Sequence, residues 1–290
     1  MGCSYFMVGE LVLVVLLIGD FTSSVSSDPY FDANYGITWG NNHVVNHKHQ
    51  AVELYLDQSS GAGFASKQDY GSGFISMQIK VPNKDSGGVV TAFYLTSVDD
   101  GNRDELDFEF LGNREGKPYT LQTNVFAHGQ GGREHRIKLW FDPTADFHTY
   151  KILWNQHHIV FFVDNIPIRY FKNNIFLGVG YPSKPMRIVV SLWDGSGWAT
   201  DGGKTKIDWN HAPFRAYFKG FKIEGCPIDK NSWTIEPCNS DKYWWNKQKY
   251  WELDPTEQKA YGIVKRHYVT YDYCTDKVNH PVTPPECYQQ

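Results

Sequence analysis

The segment from Asp104 to Asn113 alternates acids with large apolar residues. Successive side chains of a β-strand point to opposite faces. Glu105, Asp107 and Glu109 are therefore predicted to share one face, while their apolar neighbours enter a core. The alternative is an ordinary solvent-exposed strand. Such strands normally mix charges of both signs, because same-sign neighbours on one face destabilise a sheet. The pattern therefore favours a catalytic role for these acids.

Two carboxyl groups that flank one bond suit chemistry at a glycosidic linkage. A retaining glycosidase uses one carboxylate to attack the sugar and one acid to protonate the leaving oxygen, with about 5–5.5 Å between the groups. Positions i and i+4 of a strand lie about 13 Å apart, and two long Glu side chains on a concave sheet can close most of that gap. Asp107 is predicted to hydrogen-bond a neighbouring Glu and to hold the two protonation states apart. These residues alone do not distinguish the nucleophile from the acid.

Short alternating segments bounded by Gly, Pro, Asn and Asp fill the chain from Gln50 to Ile223. Asp164-Asn165 separates two of them and is typical of a two-residue hairpin turn. Many short strands at regular spacing predict a β-sandwich or barrel. The predicted strands are Val52–Leu56, Phe74–Val81, Val89–Leu95, Glu105–Leu111, Thr120–Phe126, Arg136–Phe141, His148–Trp154, Ile159–Val163, Ile166–Tyr170, Arg187–Leu192 and Phe214–Ile223.

The acid segment has the form Glu-x-Asp-x-Glu followed by Phe-Leu-Gly-Asn, and it resembles the active strand of plant xyloglucan endotransglucosylase/hydrolases of glycoside hydrolase family 16. The resemblance extends from about Tyr35 to Cys287. It implies an all-β fold, a β-jelly-roll sandwich with a concave substrate cleft and a short helix-containing, disulfide-stapled C-terminal extension. It also implies that Glu105 is the nucleophile, Glu109 the general acid/base and Asp107 the residue that orients and supports Glu105.

The amino terminus has the composition of a secretory signal. An apolar run from Leu11 to Gly19 precedes a Ser/Thr-rich stretch, which predicts a signal peptide over residues 1–27. A membrane anchor is the alternative, but nine residues are too few to span a bilayer. We therefore expect a secreted protein with no membrane segment after signal removal. The resemblance places it in the cell wall and apoplast, and the net charge of −4 gives no indication of nucleic-acid binding.

Removal of residues 1–27 takes Cys3 with it and leaves 5 − 1 = 4 cysteines, all in the last quarter of the chain. An even number in an exported protein indicates two disulfides. Zinc is disfavoured because no Cys-x-x-Cys spacing is present. The residues alone allow three pairings, and the resemblance implies the sequential one, which joins Cys226 to Cys238 and Cys274 to Cys287.

The composition changes after Cys226, and we divide the mature chain into a catalytic domain over 28–225 and an extension over 226–290. Asp254-Pro255-Thr256-Glu257 begins a helix, with Asp as N-cap, Pro at the first position and Glu at the third. We expect the extension to pack on one end of the sandwich and to lengthen the cleft.

The strand after the acid segment carries amides that suit sugar hydroxyls, because amides both donate and accept hydrogen bonds. If it pairs antiparallel with the acid strand, Gln122 and Asn124 share the cleft face. A merely polar strand face is the alternative. The resemblance implies two substrate-binding triplets, although Gly132 stands where the family has Asn. These triplets are Gln122, Thr123, Asn124 and Gly132, Arg133, Glu134.

A Gly-rich loop after Ser191 resembles the family's loop that supplies stacking tryptophans on the acceptor side. Core packing is the alternative for any Trp, but Gly-rich turns favour exposure. Asp194, Gly197 and Asp201 depart from the family's usual residues, so acceptor preference is open. The substrate-binding residues expected here are Trp193, Gly197, Trp198 and Gly202.

The resemblance predicts a retaining, endo-acting enzyme that cleaves the β-1,4-glucan backbone of xyloglucan and transfers the new end to another xyloglucan chain or oligosaccharide. We expect a monomer that needs no metal and no organic cofactor. Three alternatives remain open. They are a predominant xyloglucan hydrolase, a β-glucanase acting on mixed-linkage or cellulosic chains, and a non-catalytic protein that binds wall polysaccharide.

Overall fold

The computed structural model describes residues 31–97, 101–229, 232 and 234–289. The predicted signal peptide lies outside them. No helix in these residues is both long and apolar enough to cross a membrane.

Antiparallel β-strands make up most of the described chain, as the alternating segments predict. The strands are β1 Tyr35–Trp39, β2 Val44–His47, β3 Ala51–Leu56, β4 Ala62–Lys80, β5 Val89–Thr96, β6 Glu105–Leu111, β7 Thr120–Phe126, β8 His135–Lys138, β9 His148–Trp154, β10 His158–Val163, β11 Ile166–Lys172, β12 Met186–Asp194, β13 Phe214–Ile228 and β14 Val269–Asp272.

Helices are few and short. The α-helices are α1 Phe31–Asn34 and α2 Pro255–His267. Single 3-10 turns lie at Asn41–His43, Ile175–Leu177, Asp201–Gly203, Trp209–His211, Glu236–Asn239, Trp244–Asn246, Gln248–Tyr250, Tyr273–Thr275 and Pro285–Gln289.

Strand β4 joins two layers into one sandwich. Its first half pairs with β1 and β12, whereas its second half pairs with β9 and β13. One layer therefore runs β1-β4-β12-β5-β6-β7-β8-β14, and the other contains β3, β13, β4, β9, β10 and β11. This is the predicted β-jelly-roll sandwich, and its first layer carries the acid strand near the middle.

The core lies between the layers and is aromatic where β6 crosses it. Phe108 packs edge-on against Phe161 of β10, with 5.1 Å between ring centroids. Phe110 packs edge-on against Tyr150 of β9 at 4.7 Å. Leu106, Phe108 and Phe110 are fully buried. Burying each such side chain contributes roughly 1.5–3 kcal/mol, so the back of the acid strand holds it firmly in the sheet.

Helix α2 starts as its sequence predicts. The Asp254 carboxylate accepts the Glu257 backbone N–H at 2.8 Å, and the Glu257 carboxylate accepts the Asp254 N–H at 3.0 Å. This reciprocal capping box satisfies two backbone donors that the first turn leaves free. Tyr261 and Val264 are the buried residues of the helix.

The extension is held by disulfides and by a strand. The disulfides join Cys226 to Cys238 and Cys274 to Cys287, which confirms the sequential pairing. Strand β14 pairs with β8 and adds a strand at one end of the acid-bearing layer. The extension thereby widens the sheet on which the acids lie.

Candidate active site

Strand β6 presents its three acids to an open cleft, while its apolar residues face the core. Glu105, Asp107 and Glu109 all line a cleft of about 430 Å³. The alternation read from the sequence is therefore confirmed. The other lining residues come from four further strands and three loops, and they are Ala92, Tyr94, Arg103, Gln122, Asn124, Phe126, Glu134, Arg136, Ser191, Trp193 and Trp198.

A buried carboxylate fixes the start of the acid strand. Asp104 has no exposed surface and accepts backbone N–H groups from His128 at 2.7 Å and from Ser183 and Lys184 at 2.6 and 2.9 Å. Because a buried carboxylate must be hydrogen-bonded, Asp104 ties two other chain segments to the residue before Glu105. The sequence places it next to the acids but gives no sign of this anchoring role.

Glu109 has the properties of a general acid. Burial raises its pKa to about 7, although a hydrogen bond from Gln122 favours the ionised form and limits the rise. The Gln122 amide donates to the Glu109 carboxylate at 2.8 Å, and its carbonyl accepts from Arg136 Nε at 2.8 Å. An acid works best when its pKa lies near the working pH, so Glu109 can hold a proton near neutrality and release it.

Asp107 lies between the two glutamates, and its surroundings favour the protonated form. Burial, together with the charges of Glu105 and then Glu109, raises its pKa well above the usual value. A protonated carboxyl can donate a hydrogen bond. A hydrogen bond from Asp107 to a neighbouring glutamate stays a prediction.

Glu105 has a cation beside it. Arg103 Nε lies 3.2 Å from the Glu105 carboxylate, and the guanidinium lies 4.6 Å from the centre of the Phe126 ring. The guanidinium thus gives the Glu105 carboxylate a charge-assisted hydrogen bond. Arg103 and Phe126 were not predicted as site residues.

Tyr94 and Ser191 extend the polar floor beyond the acids. Tyr94 lies directly opposite Asp107 on β5. Burial and the charges of Glu105 and Asp107 raise its pKa to about 12, against a hydrogen bond with Ser191. The phenol is thus neutral and able to donate at physiological pH. Tyr94 lies on β5, which pairs with β6, and Ser191 lies on β12, which pairs with β5. Neither pairing could be read from the sequence.

The first predicted triplet divides between the two faces of β7. Gln122 and Asn124 line the cleft opposite Glu109 and Asp107. Thr123 is fully buried on the other face, where its hydroxyl and carbonyl accept from Arg169 at 3.1 and 2.7 Å. The alternation of the strand thus keeps Thr123 from a sugar bound in the cleft, and the expectation for this residue is corrected.

The second predicted triplet also divides. Glu134 lines the cleft and accepts from the Asn124 amide at 2.9 Å. Arg133 is buried and donates to the Glu286 carboxylate at 2.8 Å. It therefore secures the extension rather than lining the cleft. Gly132, at a positive φ of 74°, lies outside the cleft lining as well.

The tryptophan loop supplies two rings to the cleft. Trp193 and Trp198 are both part-buried lining residues, with ring centroids 6.2 Å apart. Gly197 and Gly202 are exposed and lie outside the lining. In the part of the chain that the structure describes, no group of three or more His, Cys, Asp or Glu side chains is arranged to hold a metal.

Comparison with known protein families matches this architecture in two parts. Residues 31–211 match the model of glycosyl hydrolases family 16, and residues 238–287 match that of the xyloglucan endo-transglycosylase C-terminus. The chain is 55% identical over 283 residues to xyloglucan endotransglucosylase/hydrolase protein 2 of Arabidopsis thaliana, covering 96% of both chains. The chain belongs to the xyloglucan endotransglucosylase/hydrolase family.

Other family members are similar over nearly the same length. Xyloglucan endotransglucosylase/hydrolase protein 3 of Arabidopsis thaliana is 55% identical, with 89% of this chain and 88% of the relative covered. A probable xyloglucan endotransglucosylase/hydrolase protein of Nicotiana tabacum is 48% identical, with 90% and 88% covered.

Solved structures share the fold of this family member at lower identity. The Bacillus licheniformis beta-glucanase superposes with a TM-score of 0.55 at 23% identity, over 69% of this chain and 94% of that one. The apo Crh5 transglycosylase superposes with a TM-score of 0.54 at 26% identity, over 71% and 82%. At 23% identity, the likeness to the beta-glucanase shows a shared fold and nothing more.

Proposed function

We propose that this chain is a retaining xyloglucan endotransglucosylase that cleaves the β-1,4-glucan backbone and transfers the new end to another xyloglucan chain. One observation carries the proposal. Glu109, with a pKa raised to about 7, shares the floor of an open cleft with Glu105, whose neighbour is a cation. An acid and a base on one face provide the two roles of a retaining glycosidase, and the family supplies the substrate class.

In the first step, the Glu105 carboxylate bonds to the anomeric carbon while the bond from that carbon to the leaving oxygen breaks. The proton of Glu109 passes to the leaving oxygen, so the departing chain ends in a neutral hydroxyl. The product is a glycosyl ester on Glu105. Asp107, which carries a proton, donates a hydrogen bond to the attacking carboxylate and orients it.

In the second step, Glu109 is ionised and takes the proton of an incoming hydroxyl, as microscopic reversibility requires. That oxygen bonds to the anomeric carbon, and the ester to Glu105 breaks. An acceptor sugar gives transfer, whereas water gives hydrolysis. Trp193 and Trp198 favour transfer, since a sugar held on their rings has a high effective concentration beside the ester.

The distribution of disulfides supports secretion, because such bonds persist in oxidising compartments. We propose that the mature protein acts as a monomer in the cell wall and apoplast, with residues 28–225 as the catalytic unit and 226–290 as its extension. Xyloglucan serves as donor, and xyloglucan or its oligosaccharides serve as acceptor.

The test is incubation of the pure protein with xyloglucan, with and without a labelled xyloglucan oligosaccharide. We expect the label to enter polymer and the size distribution to broaden only slightly in its absence. A steady fall in polymer size without label uptake identifies a hydrolase instead. Glu105→Ala is the control, and unchanged activity in this variant rules out catalysis by β6.

A further inference from the structure

A single row of directly paired residues crosses the acid-bearing layer at right angles to its strands. Residues directly opposite each other in an antiparallel pair place their side chains on the same face. The row therefore marks a continuous path along the cleft. Its members, in order across β14, β8, β7, β6, β5, β12, β4 and β1, are Tyr271, Arg136, Gln122, Glu109, Ala92, Ser191, Gly63 and Trp39.

The side chains on the two sides of Glu109 differ in size. Toward the extension they are long and polar. Toward β1 they shrink to those of Ala92, Ser191 and Gly63, and the first two of these line the cleft. Three strand spacings separate β6 from β4, roughly 14 Å, enough for several sugar units. The row ends there on Trp39.

A β-bulge turns Trp39 toward this path. Regular alternation would put Ile37 and Trp39 on the same face, and Ile37 packs against the core. The pairing shifts between these two residues, however, so that Ile37 lies opposite buried Phe64 while Trp39 lies opposite Gly63. Neighbouring positions of β4 face opposite ways, and a bulge re-aims the following side chain. Trp39 therefore shares the face of Ser191, which lines the cleft.

The indole of Trp39 lies against two glycines and is partly exposed. A Cβ at Gly63 would stand 2.4 Å from Trp39 Nε1, and one at Gly61 would stand 3.2 Å from the far edge of the ring. Glycine thus allows the ring to approach the strand. The chain turns immediately after Trp39 at Gly40, whose φ is 69°. Trp39 is 40% exposed.

We propose that Trp39 is a stacking platform for a sugar of the bound β-glucan chain, several units from the bond that is cut and on the side away from the extension. A flat, fixed, half-exposed indole at the end of an open path fits the apolar face of a pyranose ring. The identity of the occupant rests on the proposed function, whereas the position of the platform rests on strand register. Trp39 binds the chain and takes no part in bond breaking.

The experiment measures binding without turnover, so it is independent of whether the enzyme transfers, hydrolyses or does neither. In a Glu105→Ala background, the affinity for xyloglucan polymer is measured by gel electrophoresis in the presence of polysaccharide. We expect Trp39→Ala to weaken binding about fivefold to tenfold, the loss of one aromatic contact, and Trp39→Phe to retain most of the affinity. Gly63→Ala should resemble Trp39→Ala, because the new methyl displaces the ring.

Trp251→Ala is the matched control, since Trp251 is 41% exposed and stacks on His157 outside the cleft. It should bind as the parent does. Thermal unfolding of each variant identifies any loss that comes from misfolding, and Trp39→Phe tests the platform in a folded protein if Trp39→Ala unfolds. Equal affinity of Trp39→Ala and parent, an equal loss in Trp251→Ala, or no binding of polymer by the parent each overturns the proposal.

Discussion

The two ends of the acid strand carry the same side chain in different surroundings. Glu105 lies beside the Arg103 guanidinium. Glu109 has an amide instead, and its pKa is raised to about 7 because burial outweighs the Gln122 hydrogen bond. Glu105 thus has a cationic partner, whereas burial beside a neutral amide lets Glu109 keep its proton near neutrality. The comparison shows that two identical side chains on one strand differ in their chemical role because the flanking strands and loops give them different neighbours.

The largest expected effect is on turnover, and it distinguishes the chemical roles of Glu105 and Glu109. Glu109→Ala should lower turnover of xyloglucan by about 10²–10⁴-fold, the usual worth of an acid/base group, and Glu105→Ala should lower it at least as much. On an aryl glycoside with a good leaving group, Glu109→Ala should still release the phenol in a burst, because that oxygen needs no proton. Glu105→Ala should release none.

Stopped-flow absorbance of the phenol measures this burst, and mass spectrometry detects the glycosyl ester on the trapped Glu109→Ala protein. The reverse pattern, with a burst from Glu105→Ala and an ester on Glu109, contradicts the assignment and exchanges the two roles.

A smaller effect concerns stability. The pKa of Glu109 is raised to about 7 in the folded protein from 4.5, so the folded state binds the proton more tightly. The contribution of Glu109 to the free energy of unfolding is therefore fully present below pH 4.5. It is lost as the pH rises through 7. Glu109→Gln removes the cost of burying an ionised carboxylate and should stabilise the fold above pH 7 by at most about 3 kcal/mol. At pH 4 the difference should nearly vanish.

Urea unfolding of both proteins at pH 4 and pH 8 checks this. Glu115→Gln is the control, because Glu115 is exposed and lies away from the cleft. An equal gain at both pH values contradicts the raised pKa.

The sequence predicted the bounds of some strands correctly and missed those of others. The bounds of β6, β7 and β9 match their patterns, because strict alternation marks both faces of a strand. By contrast, β4 begins at Ala62, twelve residues before its predicted start at Phe74. Its first half contains Gly, Ala, Lys and Asp, which are depleted in strands. Tertiary pairing with β12 and β1 decides its conformation.

The roles of side chains could likewise be predicted only where local alternation determines them. Gln122 and Asn124 follow from alternation with Glu109, and the same alternation should have excluded Thr123. The burial of Arg133 could not be read at all, since its partner Glu286 lies 153 positions away. Tyr94, Arg103 and Arg136 carry no local motif, and only strand register brings them to the acids.

Removing the Arg103 cation should impair catalysis at Glu105 without changing the titration of Glu109. Arg103→Met should lower kcat/KM about tenfold, the worth of one hydrogen bond to a charged group, and should leave the alkaline limb of the pH profile in place because that limb belongs to Glu109. Arg114→Met is the control, since Arg114 pairs with Asp85 outside the cleft. A displaced alkaline limb in Arg103→Met shows that the two ends are not independent.

The finest test concerns the hydrogen bond at the Glu109 end. The Gln122 amide favours the ionised form of Glu109, so its removal should raise the Glu109 pKa further. Gln122→Leu is therefore expected to move the alkaline limb of kcat/KM upward by about one pH unit, the equivalent of one hydrogen bond to a charged group. Asn124→Leu is the matched control, because Asn124 faces the same cleft but donates to Glu134. It should leave the limb unmoved, whereas a downward shift in Gln122→Leu contradicts the role of the amide.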